Sequence, residues 1–188
     1  MANLILNGST SGSVTLSSPA VSGTTTLTLP TTSGTVLTNG TNTNFPAGSV
    51  LQVVQGTLTT QASSSSSTMA DSGITASITP KSSSNKILVI AQLNGCGKQT
   101  GNTYIRAKLV RGATDIQILE ALAGYDNSTG FNWIGSISST YLDSPATTSS
   151  TTYKIQFASA ENVAAVYING NSGGFLPVST ITLLEISA

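Results

Sequence analysis

Tyr125, Phe131 and Trp133 fall within the nine residues Tyr125-Asp-Asn-Ser-Thr-Gly-Phe-Asn-Trp133, interleaved with Asp126, Asn127, Ser128, Thr129 and Asn132. The whole chain has only five Tyr, four Phe and one Trp, so this is a local concentration. A sugar ring is held by such a combination: an aromatic face against its C–H side, and planar hydrogen-bonding groups beside it. We read the stretch as a candidate glycan- or receptor-binding loop, with Tyr125, Asp126, Asn127, Phe131, Asn132 and Trp133 as its contact residues. A second fate is open to Tyr125 and Trp133, which could turn inward as anchors of the core or of a subunit interface.

Other chemistry is sparse. The sequence has no His, which removes the commonest general base, every His-containing triad and the usual imidazole metal sites. Cys96 is the single cysteine, so no intrachain disulfide or cysteine cage can form, and the residue reads as a small buried position at a strand end. Gly95-Cys-Gly-Lys98 resembles a phosphate-binding loop only in part: Gln92 stands where a Gly is required and Gln99 where Ser or Thr is required. It reads as a Gly-rich turn between strands, with Lys98 solvated.

The seven acids are Asp71, Asp115, Glu120, Asp126, Asp143, Glu161 and Glu185, and their spacing suggests no facing carboxylate pair of the kind a glycosidase needs. Asp126-Asn127 and Asp143-Ser144 have oxygens suited to calcium, but also the residue types of ordinary Asx turns. Glu185 reads as an exposed edge charge, with Arg106, Lys108 and Arg111 as candidate partners. No catalytic residue, metal or cofactor is assigned, and a non-enzymatic protein is expected.

Seven basic and seven acidic side chains give a formal net charge of zero. Without a basic excess there is no electrostatic term for nucleic acid or an anionic membrane surface, so neither is expected as a partner. No apolar run reaches the length of a membrane span, and the N-terminus shows no secretory signal, which points to synthesis in a cytoplasm. Low charge combined with many Thr, Val, Ile and Leu favours sheet over disorder.

The elements that must position the loop are strands. From Ser49 onward, alternating runs recur between turn residues. Ile87, Val89, Ala91 and Leu93 fall on one face, as do Ile105, Ala107 and Leu109. Further strands are predicted over Val50–Thr60, Ile74–Ile78, Ile116–Leu122, Trp133–Leu142, Tyr153–Phe157, Val166–Ile168 and Ser179–Ile186. Ser63 to Thr68 is a serine tract, either a loop or a surface edge. Leu119 to Ala123 alone has helical flavour. Residues 49–188 are therefore predicted to be an all-β sandwich of jelly-roll type, displayed as one domain.

Ahead of it, a Ser-Gly pair recurs at Ser11, Ser22 and Ser33, eleven residues apart, each followed by a short β-branched run. Leu4, Leu6, Val14, Leu16, Leu27, Leu29, Val36 and Leu37 are its main burial candidates. They are too few to offset the entropy of ordering the segment alone. Residues 1–48 are thus predicted to be an attachment and oligomerisation segment with a linker at Asn39–Gly48, ordering against other chains.

SGSVTLSSPAVSGTTTLTLPTTSGTVLT, from Ser11 to Thr38, resembles a segment common in tailed-bacteriophage virion proteins of the tail-fibre and capsid-decoration kind. Tyr141-Leu-Asp-Ser-Pro145, Tyr153-Lys-Ile-Gln156 and Ser179-Thr-Ile-Thr-Leu-Leu-Glu-Ile186 are similar to the small β-sandwich often fused behind it. The resemblance implies a non-enzymatic virion component, homotrimeric, joined to other virion proteins through residues 1–48 and presenting the sandwich for host-surface or glycan adhesion. Only Asn39–Gly48 separates the two parts, whereas many tail fibres have a long shaft. That shortness keeps open a decoration or cement protein on the head or tail surface; a polysaccharide depolymerase is the remote third reading.

Overall fold

The computed structural model describes residues 4–17, 23–24, 26, 31, 45–127, 130–161, 164–171 and 173–188. The chain divides into two units, Met1–Val36 and Leu37–Ala188. All regular structure in the described residues is β, in antiparallel pairs, and no helix long and apolar enough to cross a membrane occurs among them.

In the first unit, β1 (Leu4–Asn7) pairs with β2 (Ser13–Leu16). A turn joins them at Asn7-Gly8: Gly8 N donates to Gly12 O at 2.8 Å, and Gly12 takes a positive φ of 77°. Leu4 faces Leu16 and Leu6 faces Val14 across the ladder. Because side chains alternate along a strand, these four share one face. All four are more than half exposed. Leu27, Leu29, Val36 and Leu37 lie outside the described residues, as do Ser22, Ser33 and Gly34.

The second unit is a sandwich of two sheets. One contains β5 (Ala70–Ile78), β10 (Thr151–Glu161), β7 (Thr103–Arg111) and β8 (Thr114–Ala123), in that spatial order. The other contains β3 (Val50–Leu58), β12 (Ser179–Ile186), β6 (Lys86–Lys98), β11 (Val166–Ile168) and β4 (Ala62–Ser64), with β9 (Asn132–Asp143) also on β6. The thirteen-residue β6 is the spine. β9 runs along one edge of it, while β12 and then β11 share the other.

The core lies between the sheets and is built by period-two alternation. Ile87, Val89, Ala91 and Leu93 of β6 and Ile181 and Leu183 of β12 meet Ile74, Ile105, Leu109, Tyr153 and Ile155 from the opposite sheet, all buried. The outward face of the second sheet departs from the usual polar pattern. Val53, Leu184, Leu88 and Leu142 are successive cross-strand partners and form an apolar row over four strands, with Val53 and Leu142 exposed. The two ends of the sandwich are fastened together: Gly48 N donates to Ser187 O at 2.8 Å and Ser187 N to Ser49 O at 2.9 Å.

Leu119–Ala123 belongs to β8, in keeping with the strand predicted over Ile116–Leu122, because pairing with β7 outweighs the helical preference of Leu, Glu and Ala. One local expectation is corrected. Gly95-Cys-Gly-Lys98 is the end of β6 rather than a turn, and its glycines sit in a stretch where the β6–β9 register shifts twice. The serine tract begins as strand, since Ser63 and Ser64 pair with Tyr167 and Val166.

Candidate functional site

The register shifts between β6 and β9 open a hollow at one end of the second sheet. β6 and β9 pair regularly from Ile87 opposite Asp143 to Leu93 opposite Ile137; the pairing then jumps to Cys96 with Gly135 and to Gly97 with Trp133. Bulges of this kind re-aim side chains. Here they bring Trp133 over two glycines. A Cβ on Gly170 would lie 2.0 Å from Trp133 Cζ3 and 2.3 Å from Cη2, and one on Gly97 would lie 2.9 Å from Cε3. Only glycine lets the indole rest on the main chain at both points. Gly95 serves Pro177 similarly, since a Cβ there would be 2.5 Å from Pro177 Cγ.

The result is a groove of about 640 Å³ between Trp133 and the Phe175-Leu176-Pro177 segment, with Asn94, Cys96 and Ser136 also lining it. Its walls are apolar and partly open: Trp133 is 38% and Phe175 83% exposed. Ser136 Oγ donates to Asn94 Oδ1 at 2.9 Å, and Asn94 Nδ2 donates to Val178 O at 2.7 Å, which fixes the polar edge. Cys96 is fully buried; burial pushes its thiol up to about 11, so no thiolate nucleophile is available near neutral pH.

The residues expected to form the contact loop are distributed over two places. Phe131 packs edge-on to Trp133, centroids 4.6 Å apart, and lies 5.6 Å from Tyr167 in a tilted stack. Tyr125 goes elsewhere, edge-on to Tyr104 at 5.7 Å. Asp126 accepts from Lys98 Nζ at 2.5 Å and from Asn132 Nδ2 at 2.9 Å, so this part of the loop is tied down from within. Asn127 is exposed, and Ser128 and Thr129 lie outside the described residues. Asn94, Gly97, Ser136, Gly170 and Phe175 were not anticipated. The apolar Phe175-Leu176-Pro177 run behind Gly173-Gly174 was the available signal.

Lys98 is not solvated: its side chain is fully buried and its ammonium is paired with Asp126. Glu185 is likewise not an exposed edge charge. It is fully buried, and its partners are not Arg106, Lys108 or Arg111 but Gln52 Nε2, the Lys81 backbone N–H and Asn85 Nδ2, each at 2.6 Å.

The remaining acids are also engaged. Asp143 accepts from Arg111 Nη1 at 2.5 Å and Tyr153 OH at 2.6 Å. Burial, then the Asp143 carboxylate, raises the Tyr153 phenol above its usual range. Hydrogen bonds from Lys154 and Gln156 hold Asp71 below the ordinary carboxylate value. Asp115 pairs with Lys108, Glu161 accepts from Tyr104 OH, and Glu120 accepts from the Ala121 and Leu122 N–H groups. Among the described residues no three of the His, Cys, Asp and Glu side chains converge as a metal site would require.

No family model matches the chain. No curated protein matches it either. Among solved structures, a chain from the structure of infectious bursal disease virus, Gx strain, is similar at 14% identity and a TM-score of 0.34, covering 84% of this chain. This chain spans 42% of that one's length.

Proposed function

We propose that the protein is a non-enzymatic structural component of a phage virion, a short trimeric fibre-type protein fastened through residues 1–48 and displaying its sandwich for host-surface or glycan adhesion. The observation that carries this reading is the β1–β2 hairpin. Leu4, Leu6, Val14 and Leu16 line up on one face, all exposed. A two-stranded hairpin with an uncovered apolar face is marginal alone and is stabilised by a partner surface. The partners proposed are copies of the chain and other virion proteins, as the sequence resemblance implies. The engagement of all seven carboxylates by structural donors supports a non-catalytic role.

Replacing Leu4, Leu6, Val14 and Leu16 by Ser in the full chain tests the attachment. The variant should keep the thermal unfolding of the sandwich and lose its place on purified particles. Retention at the parental copy number would sink the reading.

A capsid-decoration protein is the second reading, favoured by the row Val53, Leu184, Leu88 and Leu142, which suits broad contact with a particle surface. Copy number separates the two: hundreds per particle fit decoration, a handful fit a fibre.

A further inference from the structure

We propose that the groove between Trp133 and Phe175-Leu176-Pro177 is a binding site for an uncharged hexose unit of a surface glycan. The inference rests on the display role proposed above and gives it a location and a ligand class.

Three features point to this ligand. The indole is held by the backbone of Gly97 and Gly170 on one side, so it does not have to be ordered when a ligand arrives, yet 38% of Trp133 remains exposed. Phe175, 83% exposed, adds a second aromatic side chain to the groove lining. Sugar rings present apolar C–H faces, and such faces stack on aromatic walls.

Polar capacity lies between the walls. Ser136 Oγ donates to Asn94 Oδ1 and keeps acceptor positions for a sugar hydroxyl, and the space above Gly135 is open, with nothing within 4 Å of where its Cβ would stand. A groove of about 640 Å³ is within the usual range for small-ligand sites.

The class of sugar follows from charge. Among the described residues, no acidic or basic side chain lines the groove. The cation nearest in sequence, Lys98, is fully buried and paired with Asp126. A sialic or uronic acid would surrender hydration of its carboxylate without a cation to receive it. A neutral hexose has no such penalty.

Trp133 is the only tryptophan in the chain, so its fluorescence reports on the groove directly. The full chain is screened against immobilised neutral oligosaccharides of glucose, galactose, mannose and N-acetylhexosamines, and against sialylated and uronate-bearing ones. Hits are then titrated in solution. The expected result is binding of a neutral glycan with a saturable change in Trp133 emission, weakened by at least about tenfold in Phe175→Ala and measurably in Ser136→Ala. Both variants alter exposed side chains, and unchanged thermal unfolding verifies that they fold.

Neutral-glycan binding that leaves the emission unchanged and survives Phe175→Ala overturns the groove assignment while leaving adhesion intact. Binding of acidic glycans alone overturns the ligand class. An emission change driven by protein concentration without sugar shows that a second copy fills the groove, and overturns the proposal. Absence of binding to any glycan overturns the groove site and glycan adhesion, while the attachment reading has its own test in the hairpin variant and the wider display role is read by binding to host cells.

Discussion

Asn85 Nδ2 donates to Glu185 Oε1 across 2.6 Å in the interior, between residues 100 positions apart in the chain. The carboxylate also receives Gln52 Nε2 and the Lys81 N–H, so three donors converge on one buried acceptor. Hydrogen bonds to a charged group stabilise more than neutral ones, and donors left facing a donor are costly. Glu185→Gln can keep one oxygen for Asn85 and the Lys81 N–H, but it turns an amide NH₂ toward Gln52 Nε2 and removes the charge, and should destabilise the sandwich by roughly 1–3 kcal/mol. Urea unfolding measures it, and a midpoint unchanged from the parent would refute the arrangement.

The Lys98–Asp126 pair is asymmetric, with side chains 0% and 35% exposed. Removing the acid strands a buried ammonium; removing the lysine leaves a carboxylate that water still reaches. Asp126→Ala should therefore cost on the order of 2–4 kcal/mol, and Lys98→Met distinctly less. Equal losses in calorimetry would contradict this account.

Gly170 is where Trp133 rests, and even a methyl group there would overlap the indole. Gly170→Ala should cost about 1–3 kcal/mol by overpacking and shift Trp133 emission toward that of a more solvated indole. An unmoved spectrum would show that the indole is not seated as described.

Alkaline stability follows from Cys96. Burial lifts its folded thiol from an ordinary value of 9.0 to about 11, so above pH 9 the unfolded chain releases a proton that the folded one keeps. The stabilisation is present in full below pH 9 and is lost as pH rises through 11, by roughly 2–3 kcal/mol. Tyr153, also raised, adds to the loss above pH 10. Cys96→Ala should flatten the decline between pH 9 and 11 in unfolding titrations, and a parent and variant with parallel profiles would argue against it.

The strands of the core were legible because alternation is local: Ile87, Val89, Ala91 and Leu93 announce their face within seven residues. Lys98 and Glu185 were misread because a charge in sequence is ordinarily a surface residue, and what buries these two comes from far away. Their partners lie 28 and, for Glu185, 100 to 133 positions off. The groove was half legible. Phe131 and Trp133 stand out in composition, but the glycines beneath the indole gain meaning only once β6, β9 and the turn after β11 meet. Tyr125 shows the limit of proximity in sequence, since eight residues are enough to send it to Tyr104 instead.

The hydrogen bonds joining Gly48 and Ser49 to Ser187 place the start and finish of the sandwich side by side. A reporter domain fused after Ala188 would therefore emerge next to Phe45–Ser49 and would have to leave that pairing intact. An epitope inserted at the two-residue hairpin Gly112-Ala113 between β7 and β8 would have to leave intact the bond from Gly112 N to Thr152 O at 2.9 Å, which ties that turn to β10.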